Sequence, residues 1–77
     1  MRKKLSELDV GEEGIIVDIL RGPANLLRRL LDMGLVRNTR VKVVRRAPLG
    51  DPIEFEVSGY PLSLRREEAE YVIVEVE

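Results

Sequence analysis

Ile53-Glu54-Phe55-Glu56-Val57-Ser58-Gly59-Tyr60 is the stretch from which the fold can be read. Its apolar side chains fall at every second position, the period of a strand with one buried face. Ile53, Phe55 and Val57 therefore point inward, and Glu54 and Glu56 outward. Ser58-Gly59 supplies a two-residue hairpin turn, and Tyr60 to Leu64 returns as the partner strand. Upstream, Arg40 to Arg46 has the same period, with Val41 and Val43 on one face. One register gathers the apolar residues of both segments on a single side. It sets Val43 opposite Phe55, Val41 opposite Val57 and Lys42 opposite Glu56. Pro48, Gly50 and Pro52 turn the chain between them.

Working outward, Gly14 to Leu20 reads as a strand with Ile15, Val17 and Ile19 on one face. Tyr71 to Val76 is a closing strand, and Arg66 to Ala69 a single helical turn. Leu5-Ser6-Glu7-Leu8 is an opening turn with two apolar anchors. Between the first and second strands, Gly22-Pro23 opens a helix that runs to Met33, with Pro23 at its first position. Gly34 follows as a left-handed terminator, and Leu35 folds back on Leu30. At 100° per residue, Leu26, Leu27, Leu30, Leu31 and Met33 cover an arc of about 160°. One core contact needs about 100°, so either all five are core, as small domains often require, or the surplus marks a docking surface for a partner.

The count is five short strands and one inserted helix, a mainly β chain. So few strands make a poor open sheet with a wet apolar face. Curling into a small five-stranded barrel buries the inward valines and removes most free edges. Residues 1–77 read as one domain.

Composition narrows the chemistry. There is no cysteine and no histidine. That removes thiol nucleophiles, disulfides, thiolate metal sites and the usual proton-transfer side chain. Ser6, Ser58 and Ser63 have no imidazole base, and Gly50-Asp51-Pro52 lacks the lysine and helix of a phosphate loop. No catalytic residue is assigned, and the expected protein is not an enzyme. Net charge is −1, which does not favour nucleic acid. Phe55, Tyr60 and Tyr71 form no evident base-stacking platform. Ile15-Ile16-Val17 and Tyr71-Val72-Ile73-Val74, the longest apolar runs, are far too short to insert in a bilayer. A soluble, cytoplasmic protein is expected. The absence of glutamine and the presence of only two asparagines, Asn25 and Asn38, fit a hot-growing source.

Several segments, in order, resemble the FeoA family of ferrous iron uptake. They are Leu5-Ser6-Glu7-Leu8, Gly11-Glu12 with Gly14, the helix end Arg29-Leu30-Leu31-Asp32-Met33-Gly34-Leu35, and Ala47-Pro48-Leu49-Gly50-Asp51-Pro52-Ile53. Gly59-Tyr60 and Leu64-Arg65-Arg66-Glu67-Glu68-Ala69 complete the match. The resemblance implies an SH3-like barrel, in agreement with the strand count. It also implies a role beside the membrane GTPase-permease FeoB, through that protein's cytosolic part. The same module closes iron-dependent repressors. No DNA-binding segment precedes it in this sequence, so a free-standing protein is expected. The alternative is a stand-alone sensor of a metal or an anion. One departure stands out: the family often has Pro-Gly after the helix, where this chain has Arg37-Asn38. Asn tolerates positive φ better than other non-glycine residues, so the turn is expected to survive.

The residues assigned to partner binding are Leu26, Arg29, Leu30, Leu31, Leu35 and Arg37, with possible self-association through the same helix. No metal ligand is assigned. Asp51, Glu54 and Glu56, or Glu67, Glu68 and Glu70, could at most hold Fe(II) or another divalent ion weakly through carboxylates alone. The plainer reading is a solvated acidic face. Charge is unevenly spread. Residues 21–46 hold eight basic groups and one acid, and residues 51–77 hold eight acids and two arginines. Strand pairing is expected to interleave them, Lys42 with Glu56 among others. The rival is a basic patch of Arg28, Arg29, Arg37 and Arg40 that meets an acidic partner.

Overall fold

The computed structural model describes residues 1–77. Six strands form one antiparallel sheet: β1 (Arg2–Lys4), β2 (Glu13–Ile19), β3 (Arg40–Arg46), β4 (Ile53–Val57), β5 (Tyr60–Leu64) and β6 (Val72–Val76). Their order is β1-β6-β2-β3-β4-β5, so no hydrogen-bonded ladder joins the outer strands β1 and β5. Two helices interrupt the strands, α1 (Ala24–Asp32) and α2 (Arg66–Ala69), and a 3₁₀ turn spans Leu5–Glu7. The chain has six strands rather than the expected five. The added one, Arg2-Lys3-Lys4, has no apolar alternation to announce it, and forms because β6 offers it a free edge.

The hairpin between β3 and β4 has the expected register: Val43 faces Phe55, Val41 faces Val57 and Lys42 faces Glu56. The three apolar residues of β4 are buried, as are Val41 and Val43. Ser58 and Gly59 both adopt positive φ, at 50° and 87°, and close β4 onto β5. Beyond Val43 the register slips by one residue, which turns Val44 outward and leaves it 45% exposed.

Strand β2 departs from expectation. Ile15 and Val17 do not face the core; Gly14 and Ile16 do. A bulge between Ile16 and Asp18 then shifts the phase, so that Ile19 packs against the core after all. A run of three β-branched residues with no polar spacer gives no clue to phase. The neighbouring strand decides it.

The core unites the sheet's inner face with Leu5 and Leu8 of the opening turn, Leu30 and Leu35 from around α1, and Ala69 of α2. Arg46 stitches the opening turn to the sheet: its guanidinium donates to the carbonyls of Ser6, at 2.9 Å, and Leu8, at 2.7 Å. Pro23 caps α1 from outside and accepts the first helical bond from the Leu27 N–H, at 3.1 Å. The helix is therefore one residue shorter at each end than its sequence pattern indicates.

Its C-terminus is a Schellman ending. The Gly34 N–H donates to Leu31 at 2.9 Å and the Leu35 N–H to Leu30 at 3.0 Å, with Gly34 at φ +86°. Leu30 and Leu35 are both fully buried beside this turn. Gly34→Ala should lower stability by about 1 kcal/mol, because a Cβ is unfavourable at this φ. Urea midpoints check this, and an unchanged midpoint would show that the turn relaxes freely. Asn38 takes φ 72° and its N–H donates to the Ile16 carbonyl at 2.7 Å, so the Arg37-Asn38 departure is accommodated.

Candidate functional site

Helix α1 meets the rest of the molecule along one narrow line. Leu30 is its single fully buried residue; Leu26 and Met33 pack against the core while partly exposed. Leu27 and Leu31 lie on the next stripe around the helix, and Leu31 is 45% exposed. The wide leucine arc is thus divided, with Leu26, Leu30 and Met33 toward the barrel, Leu31 exposed and Leu27 half-buried beside it. Val36, just past the helix, is 43% exposed.

This geometry corrects part of the sequence assignment. Leu30 and Leu35 are 0% exposed and cannot touch a partner, because the Schellman turn folds both into the core. Leu26 is half spent on the core. Leu31 remains as the exposed leucine of the assigned set. Leu27, Arg28 and Val36 share its surroundings and were not assigned. Their signal was present in the helical angles, but the angles alone did not say which edge of the arc met the barrel.

The arginines are mostly occupied. Arg29 reaches the Glu68 carboxylate at 2.7 Å, and that side chain is only 8% exposed. Glu68 also accepts the Arg65 N–H at 2.9 Å, so one carboxylate caps α2 and ties it to α1. Arg37 bonds Asp18 at 3.1 Å. Arg40 pairs with Glu13 at 3.6 Å and with Glu77. Of the four arginines in the proposed basic patch, Arg28 alone has no carboxylate within ion-pair distance. Interleaving, not a patch, is the outcome, although Lys42 and Glu56 form no ion pair despite facing each other. The acids are scattered in the same way. Asp51 accepts the Arg66 N–H at 2.8 Å, and Glu54 takes Arg45 in a two-pronged contact at 2.8 and 3.0 Å. No three carboxylates converge on a common point.

These contacts set the titration behaviour. Arg45 holds the Glu54 carboxyl below its ordinary value of 4.5. The Arg37 guanidinium, followed by the Ile19 N–H, does the same for Asp18. A depressed carboxylate stabilises the fold above its unfolded pKa, and this is lost as pH falls through the folded value. Stability should therefore decline as pH drops below about 4.5, and Arg45→Gln should flatten that decline. Denaturation midpoints across this range check it. An equal slope in the variant would remove Glu54 from the account.

An open cleft of about 660 Å³ lies between α1 and α2. Leu26 and Tyr71 line it, together with Lys4, Arg21, Glu67 and Glu70. The Arg29–Glu68 pair also lines it.

Compared with known proteins, residues 3–76 match the FeoA domain family. The chain belongs to the FeoA domain family. It is 40% identical, over 73 residues, to a Fe(2+) transport protein A/Fe(2+) transporter FeoB fusion protein of Porphyromonas gingivalis. That alignment covers 95% of this chain and 8% of the relative's length. Among solved structures, an iron uptake regulatory protein (FeoA) superposes over 100% of both chains, with TM-score 0.89 and 34% identity. FeoA of Stenotrophomonas maltophilia, solved with zinc and described as an SH3 domain protein, superposes with TM-score 0.81 and 31% identity. It is covered over 89% of its length, by 97% of this chain. The FeoA fold of this chain is accordingly SH3-like. A manganese-dependent transcriptional repressor shares that fold at TM-score 0.91 and 21% identity, across 99% of this chain and 37% of the repressor. No helix of this FeoA domain is long and apolar enough to cross a membrane.

Proposed function

We propose that this chain is a non-catalytic accessory protein of ferrous iron uptake, which docks on the cytosolic part of a FeoB-type transporter through the outer edge of α1. The supporting observation is the relative in which a segment 40% identical to this chain is joined to a FeoB transporter. Joining two proteins in one chain raises their effective concentration, which benefits partners that must touch. The surface argument is independent of that. Leu31 and Val36 are large apolar side chains left partly in water at the end of an otherwise sparsely packed helix. Arg28, one turn before Leu31, is a free guanidinium able to grip a partner carboxylate with two bonds.

Leu31→Glu tests the reading. The side chain is half exposed, so stability should change by less than about 1 kcal/mol. Association with the cytosolic part of the transporter, followed by calorimetric titration, should be lost. Normal binding by the variant would sink the docking edge and make the strand Arg40–Arg46 the next surface to try. A purified wild-type chain that does not bind the transporter at all would sink the proposal itself.

A further inference from the structure

Helix α1 belongs to a long excursion between β2 and β3, and main-chain bonds tie that excursion to the rest of the molecule only at its two ends. At the start, the Leu20 N–H donates to the Tyr71 carbonyl at 2.7 Å. Gly22 follows, pressed against the Tyr71 ring: a Cβ there would lie 2.6 Å from a ring carbon. At the end, the Asn38 N–H donates to the Ile16 carbonyl at 2.7 Å, and the Ile16 N–H to the Thr39 carbonyl at 2.9 Å. Between these anchors no main-chain hydrogen bond joins residues 21–37 to a strand. Two ion pairs reach out from them. Arg37 with Asp18 lies next to the Asn38 anchor and is exposed on both sides. Arg29 with Glu68, at 2.7 Å, is the one ion pair that joins α1 itself to another element. For the rest α1 is seated by burial, of Leu30 and Leu35 completely and of Leu26 and Met33 in part.

We propose that α1 is a latched arm: residues 21–37 leave the barrel as one unit while the six-strand sheet stays paired, and the Arg29–Glu68 bond is the latch. Glu68 suits this role because α2 places it independently of α1, through its bond to the Arg65 N–H at 2.9 Å. The Arg29 side chain is 60% exposed, so it returns to water without leaving a buried cation behind. Opening breaks no bond of the sheet ladder and restores backbone freedom to the whole excursion. It therefore costs less than global unfolding, as local openings with few buried contacts do. A helix of nine residues is marginal in water on its own. Once off the barrel, α1 loses its helical bonds together rather than one by one. Closed, the barrel covers Leu26, Leu30 and Met33; open, all the apolar side chains of the arc are uncovered at once. The latch thus withholds most of that surface, an autoinhibitory contact. The inference concerns the isolated chain and stands or falls without the transporter.

Native-state hydrogen exchange of the full chain in low concentrations of denaturant tests it. The amides of Leu27, Met33, Gly34 and Leu35, all bonded within the excursion, should exchange through one shared opening. That opening should be faster than the one that frees Val43 and the ladder amides of β4 and β5, and should depend less on denaturant. Arg29→Gln should speed the α1 amides by about fivefold, as loss of a half-exposed ion pair does. Arg28→Gln, one position away and with no ion pair to lose, should leave them unchanged. Val57→Ala, in the sheet, should speed the ladder amides by about tenfold and leave the α1 amides as they were. Three results would overturn the inference. One is α1 amides that share the rate and denaturant dependence of the sheet. Another is α1 exchange unchanged in Arg29→Gln, or changed equally in Arg28→Gln. The third is Val57→Ala accelerating both groups alike, since α1 would then open only when the whole chain unfolds.

Discussion

Gly14→Ala should cost the chain about 3 kcal/mol or more, enough to leave much of it unfolded. Gly14 sits on the inner face of β2, paired with Val41 on one side and Val76 on the other. A Cβ placed there would lie 2.2 Å from the Glu75 carbonyl oxygen and 2.6 Å from a Val74 methyl carbon. The methyl could rotate aside, but the carbonyl belongs to the backbone of a central strand. It can move only if the ladder between β2 and β6 opens. Glycine is therefore required at this position for close approach of two strands, not for an unusual φ. Thermal or urea denaturation checks the effect. A loss under about 1 kcal/mol would show that the two strands part easily.

Phe55→Ala should destabilise by about 3–5 kcal/mol. Phe55 is the only phenylalanine, it is 1% exposed, and it lies at the centre of the β3–β4–β5 segment of the core. Removing its ring leaves a cavity walled by strands that are hydrogen-bonded to one another and cannot collapse to fill it. In a chain of this size the core has few other large side chains to compensate. A shift in urea midpoint corresponding to less than about 1 kcal/mol would mean that the neighbouring valines repack.

The parts of the structure legible in the sequence are those where local pattern and tertiary contact agree. The phase of the β3–β4 pairing follows from Ile53, Phe55 and Val57 alternating with glutamates, since a one-residue slip would turn charge into the core. The Schellman turn follows from Gly34 at the helix end, with Leu35 after it folding back on Leu30. Two elements were not legible. Strand β1 is all basic and pairs only because an edge awaits it. The phase of β2 is hidden in Ile15-Ile16-Val17, where every residue is a candidate for the core and a bulge divides them. The same ambiguity affected the site. The leucine arc of α1 was evident, but its orientation depends on where the barrel lies. Leu30 and Leu35 were accordingly assigned to a partner when they belong to the core. The Arg29–Glu68 link, between residues far apart in sequence, left no local trace at all.

The division of the arc makes the central claim testable residue by residue. The most direct measurement is a resonance-perturbation map of the labelled chain on addition of the unlabelled cytosolic part of the FeoB-type transporter. The account expects the largest changes at Leu27, Arg28, Leu31 and Val36, with the buried Leu30 and Leu35 affected only through them. Perturbations centred on Arg40–Arg46 with α1 silent, or no perturbation at all, would contradict it.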